Sequence, residues 1–227
     1  MDRIPEAEIM DDPEQARAYA RADFSEPHQA FVNHFKQCFA HHHVSRALDL
    51  GCGPADITVR FAKAYPECEI VGIDASDAML AFGHTALAVE GLSRQVRLIS
   101  AHLPLAFPDT VLPQTEFDTV ISNSLLHHLA DPMVLWRTIR RLAAKRAAIF
   151  VMDLARPASR AEAEALVENY AADEPAILKR DFLHSLFAAY RLEEIQQQLR
   201  QAQLEYLQTQ LVSDRHIIVF GRFYREI

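Results

Sequence analysis

A glycine-rich turn from Gly51 to Pro54 is the segment of this sequence with the clearest chemical meaning. It follows a short apolar run, Ala47 to Leu50, and precedes helical periodicity from Ile57 to Ala64. Glycines at such a junction let the backbone turn sharply and approach a ligand closely. The spacing departs from the GxGxxG pattern of dinucleotide sites, because Asp56 stands where the third glycine would fall and would repel a pyrophosphate. The turn therefore favours a ligand without phosphate.

A carboxylate follows the next apolar run, Glu69 to Asp74. Asp74 lies roughly 20 residues beyond the turn, where a carboxylate can accept hydrogen bonds from both ribose hydroxyls of an adenosine. A strand-terminal aspartate can also cap a helix or form a turn. Paired with the turn and with Asp49 before it, Asp74 favours a cationic nucleoside. S-adenosylmethionine, which carries an ammonium and a sulfonium, fits this description.

The elements around these residues alternate between strand and helix patterns. Further strands are predicted at 96–100, 117–122 and 147–153, with a helix at 77–90 capped by Ser76 and ended by Gly91, and another from Asp131-Pro132 through Ala144. Such alternation predicts an α/β fold in which helices cover both faces of a parallel sheet.

The two ends of the chain follow other patterns. Helical spacing over residues 11–40 predicts two helices, starting near Asp12-Pro13 and near Pro27. Long helices are predicted at 156–172 and 179–201, and an antiparallel hairpin at 204–212 and 216–223. We expect a single domain over 1–227, divided into N-terminal helices (1–43), a binding core (44–154), a helical cap with the last core helix (155–202) and a C-terminal hairpin (203–227).

Composition narrows the class of protein. Half of the 227 residues are hydrophobic and the formal net charge is −8, which disfavours nucleic acid and anionic lipid as partners. Three cysteines without a CxxC pair fit a reducing cytoplasm, and no apolar run reaches membrane-spanning length. Residues 41–43, three consecutive histidines, are expected to form an exposed loop without metal, because no carboxylate or cysteine is spaced to join them.

Five segments together resemble the class I S-adenosylmethionine-dependent methyltransferases, in the small-molecule branch that includes the ubiquinone and menaquinone methyltransferases. They are Tyr19 to Phe24, Ala47 to Ile57, Val71 to Leu80, Phe117 to Asn123 and Leu126 to Leu129. The resemblance runs nearly end to end. It implies a Rossmann-like seven-stranded sheet in the order 3-2-1-4-5-7-6 with the seventh strand antiparallel.

The resemblance also implies S-adenosyl-L-methionine as the cofactor and assigns residues to it. The set comprises Tyr19, Asp49, Gly51, Cys52, Gly53, Asp74, Ala75, Met79, His102, Leu103 and Asn123. Asp49 and the glycines are expected to surround the methionine part of the cofactor. Asp74 is expected to bind the ribose and Leu103 to lie near the adenine, while Tyr19 closes over the ligand.

The chain departs from the family pattern in three places. Ala55 replaces a third glycine and is small enough to be tolerated. Ser100-Ala101-His102 replaces the usual adenine-binding aspartate, so that His102 or a backbone carbonyl takes that contact. Residues 144–147 replace a Pro-Gly-Gly turn before the fifth strand.

Methyl transfer is a displacement at a sulfonium carbon, so alignment and exclusion of water supply most of the catalysis. If the acceptor must lose a proton, His128 first and His127 second are placed to accept it, just past the fourth strand. The alternative is that both imidazoles only cap the loop or pack under the cap.

The acceptor itself is not identified by sequence. Tyr170, Phe182, Ser185 and Tyr190 of the cap are candidates to line its pocket, although amphipathic helices bury such residues routinely. Arg215 could meet an anionic acceptor, and its alternative is a turn salt bridge.

Two functions remain open beside methyl transfer to oxygen, carbon or nitrogen of a small molecule. One is a regulatory or partner protein that binds S-adenosylmethionine without turnover. The other, a nicotinamide oxidoreductase, is disfavoured by Asp56. A homodimer is an arrangement that the sequence leaves open.

Overall fold

A computed structural model describes residues 1–6, 13–105 and 116–224 of the chain. Within these ranges the central element is a seven-stranded sheet in the order β3-β2-β1-β4-β5-β7-β6. The strands are β1 (Arg46–Leu50), β2 (Glu69–Asp74), β3 (Val96–Ser100), β4 (Phe117–Asn123), β5 (Ala143–Leu154), β6 (Gln208–Leu211) and β7 (His216–Arg222). Strands β1 to β5 pair in parallel, and β7 pairs antiparallel with both β5 and β6. The order and the direction of the seventh strand confirm the prediction.

Helices cover both faces of the sheet. They are α1 (Pro13–Arg21), α2 (Ser25–Cys38), α3 (Asp56–Ala64), α4 (Asp77–Val89), α5 (Met133–Leu142), α6 (Arg160–Ala171), α7 (Ala176–Ala188) and α8 (Leu192–Gln201), with a 3₁₀ turn at Leu126–His128. One face packs under α5 and α8, where the Trp136 indole N–H donates to Gln198 at 3.0 Å. The other packs under α2 and α3, where Phe35 lies edge-on to Phe61 and Phe150. Strands buried on both faces explain the continuous apolar runs in the sequence.

The predicted helix at 179–201 was wrong, because the structure has two helices there. Helix α7 ends at Ala188, and Tyr190 pairs with Ala155 as an isolated parallel bridge. Helix α8 then begins, and its Glu194 carboxylate accepts the backbone N–H of Arg191 at 2.8 Å. The break between the two helices results from the bridge of Tyr190 to Ala155 and from the cap at Arg191. No glycine or proline between the helices marks it in the sequence.

Other predicted boundaries shift by a few residues. Helix α2 begins at Ser25, so Pro27 lies in its first turn, where proline costs no hydrogen bond. Asp12 lies outside the described residues. Helix α6 begins later than predicted because Ser159 caps it by accepting from the backbone N–H of Glu162 at 3.2 Å. Strand β5 begins at Ala143, four residues before the predicted start at Ala147. The added segment includes Arg146, whose backbone is in the left-handed region.

The histidines at 41–43 do not form a uniformly exposed loop. His41 and His43 are exposed, but the side chain of His42 is 9% exposed. Its Nε2 contacts the Thr119 hydroxyl at 2.8 Å, and its Nδ1 contacts Arg222 at 2.8 Å. His42 therefore packs against the sheet. None of the helices that the structure describes is both long and apolar enough to span a bilayer.

Candidate active site

A cavity of about 470 Å³ opens at the carboxyl ends of the parallel strands and extends beneath α6 and α7. All of the predicted site residues except Tyr190 line it: Tyr19, Asp49, Gly51, Cys52, Gly53, Asp74, Ala75, Met79, His102, Leu103, Asn123, His127, His128, Tyr170 and Arg215. Strand order explains the location, because ligands of open α/β sheets bind where neighbouring connections leave in opposite directions. Here that point lies between β1 and β4.

The glycine turn reaches across to the neighbouring strand. The backbone N–H groups of Gly51 and Cys52 both donate to the carbonyl of Ile73, at 2.8 and 3.0 Å. Gly51 and Gly53 have φ of +73° and +52°, in the left-handed region that favours glycine. A Cβ on Gly53 would meet nothing within 4 Å, so the turn leaves open space on its cavity side.

Ala55 adopts a left-handed conformation as well, with φ of 66°, and it is fully buried at the start of α3. This is the position where many relatives carry a third glycine. The backbone explains that preference, since an L-residue there loses roughly 1 to 2 kcal/mol. The chain retains the turn despite the alanine, as expected.

Asp74 ties the second strand to this turn. Its Oδ2 accepts the N–H of Gly53 at 2.8 Å, and its Oδ1 accepts the N–H of Ser76 at 2.9 Å. Burial raises the pKa of Asp74, while these backbone hydrogen bonds lower it. Ser76, whose hydroxyl accepts from Met79 at 3.1 Å, is the cap of α4. Backbone hydrogen bonds from Gly53, Ala75 and Ser76 therefore occupy three of the roughly four acceptor positions of the Asp74 carboxylate, and one remains for a ligand hydroxyl.

Asp49, at the end of β1, is buried to 1% exposure. Burial raises its pKa to about 7, although the Thr58 hydroxyl donates to its Oδ2 at 2.7 Å and lowers the pKa. A buried carboxylate with this pKa gains from a cation placed beside it. Tyr19 lies over the same end of the cavity, and burial together with Asp56 and Asp74 raises its pKa to about 12. The Tyr19 phenol is therefore neutral at physiological pH.

Among the charged residues of the described lining, carboxylates outnumber arginine and lysine: they are Asp23, Glu26, Asp49, Asp56, Asp74, Glu174 and Asp181. Asp56 binds His28 at 2.5 Å and Arg60 at 2.9 Å, and these contacts hold its pKa low against the effect of burial. Arg215 is the one arginine or lysine among the described lining residues. The cavity is consequently suited to a cation at the glycine turn and unsuited to a pyrophosphate there.

The two histidines after β4 have different surroundings. His127 is buried to 2% exposure, and its Nδ1 bonds the Asp153 carboxylate at 2.5 Å. Asp153 also accepts the backbone N–H of Leu126 at 2.8 Å. Burial opposes both charges, but their mutual attraction raises the pKa of His127 and lowers that of Asp153. The side chain of His128 is 17% exposed and faces the cavity.

Glu6 reaches the same histidines from the N-terminal segment. Its Oε1 lies 2.9 Å from His128 Nδ1 and 3.6 Å from His127 Nε2. Among the described residues, these three side chains have donor atoms within 4.8 Å of one another, a spacing that a metal ion could share. Pairing of carboxylate with imidazole already accounts for the contacts, so we assign the cluster no metal.

Tyr170 and Arg215, which the sequence predicts to meet the acceptor, lie side by side in the lining of the cavity. The Arg215 guanidinium stacks on the Tyr170 ring, 3.3 Å from its centroid. Both residues bind Asp214, the tyrosine through its hydroxyl at 2.7 Å and the arginine through Nη1 at 3.0 Å. The turn salt bridge is therefore present, and Arg215 nevertheless faces the cavity. Phe182 and Ser185 of α7 also line the cavity.

Tyr190 lies elsewhere. It is buried to 8% exposure in the main core cluster, and its ring supports the Arg3 guanidinium at 4.2 Å. Its predicted place in the acceptor pocket therefore has no support from the geometry.

Sequence reasoning missed Glu6, His28 and Asp153. Asp153 carried a usable signal, since it is an acid at the carboxyl end of a parallel strand, like Asp49 and Asp74. Glu6 and His28 carried none, because their partners lie 28 or more positions away in the chain.

Comparison with known proteins agrees with this fold and site. The family described as "Methyltransferase domain" matches residues 41–207. A trans-aconitate 2-methyltransferase of Variovorax paradoxus is 33% identical over 133 residues, covering 58% of this chain and 46% of that protein. A demethylmenaquinone methyltransferase of Geobacillus kaustophilus is 35% identical over 99 residues, covering 43% and 40%. The chain thus spans less than half the length of these curated relatives.

Solved structures share the architecture. The plantazolicin methyltransferase BpumL, in complex with SAH, superposes with a TM-score of 0.70 at 14% identity over 94% of this chain and 91% of that one. A SAM-dependent methyltransferase from Aquifex aeolicus gives 0.65 at 15% identity, covering 93% and 98%. Sheet order and cavity define a class I methyltransferase fold. The chain belongs to the methyltransferase domain family.

Proposed function

We propose that this protein transfers a methyl group from S-adenosylmethionine to an oxygen, carbon or nitrogen of a small molecule. The observation that carries the proposal is the junction of Gly53 and Asp74, whose 2.8 Å hydrogen bond joins an open turn to a carboxylate beside one cavity. The named functions of the curated relatives, such as trans-aconitate 2-methyltransferase, support a small-molecule acceptor.

The residues present fit the cofactor. The space beside Gly53, where a Cβ would meet nothing, accommodates a ligand pressed against the backbone. The remaining acceptor position of the Asp74 carboxylate suits a ribose hydroxyl, and buried Asp49 suits a positive charge. The other residues proposed to contact the cofactor also line the cavity: they are Cys52, Ala75, Met79, His102, Leu103 and Asn123. When bound, the cofactor supplies an electrophilic methyl group.

The chain's own residues orient the acceptor and exclude water. Tyr19 covers the cofactor end, and Tyr170 and Arg215 border the acceptor end. His128 is the proposed proton acceptor because its ring faces the cavity, whereas the Nδ1 of His127 is committed to Asp153. We further propose that the protein works in the cytoplasm, which its reduced cysteines fit.

The test is transfer of label. Purified protein is incubated with methyl-labelled S-adenosylmethionine and fractionated cell metabolites, and products are identified by mass spectrometry. Label in a small molecule, formed more slowly in a parallel Asp74→Ala sample at low cofactor concentration, supports the proposal. Thermal stabilisation by the cofactor without labelled product would instead establish a binding protein without turnover.

A further inference from the structure

The N-terminal segment, residues 1–6, is fastened to the acceptor side of the cavity. Arg3 donates through Nε to the carbonyl of Ala188 at 2.6 Å and through Nη2 to the carbonyl of His127 at 2.9 Å. Its guanidinium also lies over the Tyr190 ring. One arginine thus links the segment to the end of α7 and to the histidine turn.

The backbone of this segment is held as well, and it delivers Glu6 to the site. The N–H of Ile4 donates to the carbonyl of Phe187 at 3.0 Å. Two residues later, the Glu6 carboxylate accepts the Ser185 hydroxyl at 3.1 Å and lies 2.9 Å from His128 Nδ1. The side chain of Glu6 is only 15% exposed. Its position is therefore fixed by contacts on both sides.

The Glu6 carboxyl is ionised in this position at neutral pH. Burial raises the pKa of its carboxyl, but the contacts with His128, His127 and Ser185 outweigh burial and lower it. An ionised carboxylate accepts hydrogen bonds and cannot donate them. A ring nitrogen that bonds to it must therefore carry a proton.

The contact with His128 is close but not yet a hydrogen bond. The Nδ1 atom is buried and has no hydrogen-bond partner within the described part of the chain, because the 2.9 Å approach to Glu6 is poorly aligned. The torsion that turns an imidazole ring is broad, so a small rotation aligns the two groups at low cost. Catalytic hydrogen bonds are often misaligned before the substrate binds.

We propose that Glu6 is a positioning residue that holds His128 in the tautomer with a proton on Nδ1, leaving Nε2 free to accept the proton of the methyl acceptor. This inference rests on the proposed function. The acceptor atom bonds to the methyl carbon as the methyl–sulfur bond breaks, and sulfur keeps that electron pair. The acceptor's proton passes to Nε2 of His128, and the resulting imidazolium is stabilised by Glu6.

The test reads the tautomer directly. Long-range ¹⁵N–¹H spectra of the full chain with S-adenosylhomocysteine bound, recorded in the presence of a chelator, assign the proton on the neutral His128 ring. We expect it on Nδ1 in the natural protein. In Glu6→Gln, whose amide can donate or accept, the Nε2 tautomer should appear, and Glu6→Asp should restore the Nδ1 form in part. The exposed Glu168→Gln variant is the matched control.

Turnover provides the second measurement. Glu6→Gln should lower kcat by about 10- to 100-fold, as loss of a partner that orients a functional histidine does, with KM for S-adenosylmethionine unchanged and partial rescue in Glu6→Asp. A proton on Nε2 in the natural protein, or tautomers unaltered in Glu6→Gln, would overturn the positioning role. A natural protein with the expected tautomer but without any methyl transfer would overturn the proposed function instead.

Discussion

Asp74 accepts the backbone N–H of Gly53 at 2.8 Å, so the residue proposed to hold the ribose also shapes the glycine turn. The two features that the sequence presents separately, a turn after β1 and an acid after β2, are one hydrogen-bonded unit. Substitution of either residue should therefore disturb both halves of the cofactor site.

We expect Asp74→Ala to weaken binding of S-adenosylmethionine by about 1 to 3 kcal/mol, because ligand hydroxyls and the Gly53 N–H lose their acceptor. Isothermal titration calorimetry measures the change. Asp77→Ala, at an exposed acid three residues along, is the control and should bind normally. Equal affinities in the natural protein and Asp74→Ala would remove the ribose assignment.

Gly51→Ala should be more damaging than Gly91→Ala. Both glycines have φ near +70°, so each alanine loses roughly 1 to 2 kcal/mol to backbone strain. A Cβ on Gly51 would also lie 2.9 Å from Leu125, whereas a Cβ on Gly91 meets nothing within 4 Å. Urea denaturation should show the larger loss for Gly51→Ala, and cofactor affinity should fall only in that variant. Equal stability losses would contradict the close approach of Leu125.

Asp49 should make the free protein less stable as the pH rises. Burial raises its folded pKa to about 7, above the ordinary value near 3.9, so the folded state binds the proton more tightly. Between these values the free energy of unfolding falls with pH, by up to about 1.4 kcal/mol per unit from this group. Asp49→Asn should therefore be more stable relative to the natural protein at pH 8 than at pH 5. Parallel denaturation curves at the two values measure this difference, and a pH-independent difference would contradict it.

Asp153→Asn should cost about 3 to 5 kcal/mol of stability, because it breaks a buried ion pair and leaves the His127 charge with only the more distant Glu6 carboxylate, 3.6 Å away. Glu164→Gln breaks the exposed pair with Arg160 and should cost less than about 1 kcal/mol. Thermal unfolding of the two variants provides the comparison.

The contribution of the ion pair between His127 and Asp153 to stability should depend on pH. Asp153 has a lowered pKa, so its contribution is present above the ordinary aspartate pKa and is lost as pH falls through the folded value. His127 has a raised pKa, so its contribution is present below the ordinary histidine pKa and is lost as pH rises through the folded value. The penalty of Asp153→Asn should be largest between about pH 4 and 6.5. A penalty that is the same at pH 5 and pH 9 would show that the pair is not charged.

Much of the sheet was predictable because strands such as β1 and β2 are short apolar runs followed by turn residues, and the resemblance supplied the strand order. The glycine turn and Asp74 were predictable for a related reason, since both follow such runs directly. The break between α7 and α8 was not, because it depends on pairing of Tyr190 with Ala155, a contact across the fold. Glu6 was not predicted for the same reason, because the role proposed for it depends on its contact with His128, more than a hundred residues away in the chain.

The carboxylate-rich lining has a consequence for the order of events at the site. In the proposed reaction, methyl transfer removes the positive charge on sulfur, so the demethylated product is attracted less strongly by these acids than S-adenosylmethionine is. Electrostatics alone would then favour exchange of product for new donor after each turnover. Added salt should reduce the difference in affinity between S-adenosylmethionine and its demethylated product, because mobile ions screen the attraction between the sulfonium and the carboxylates.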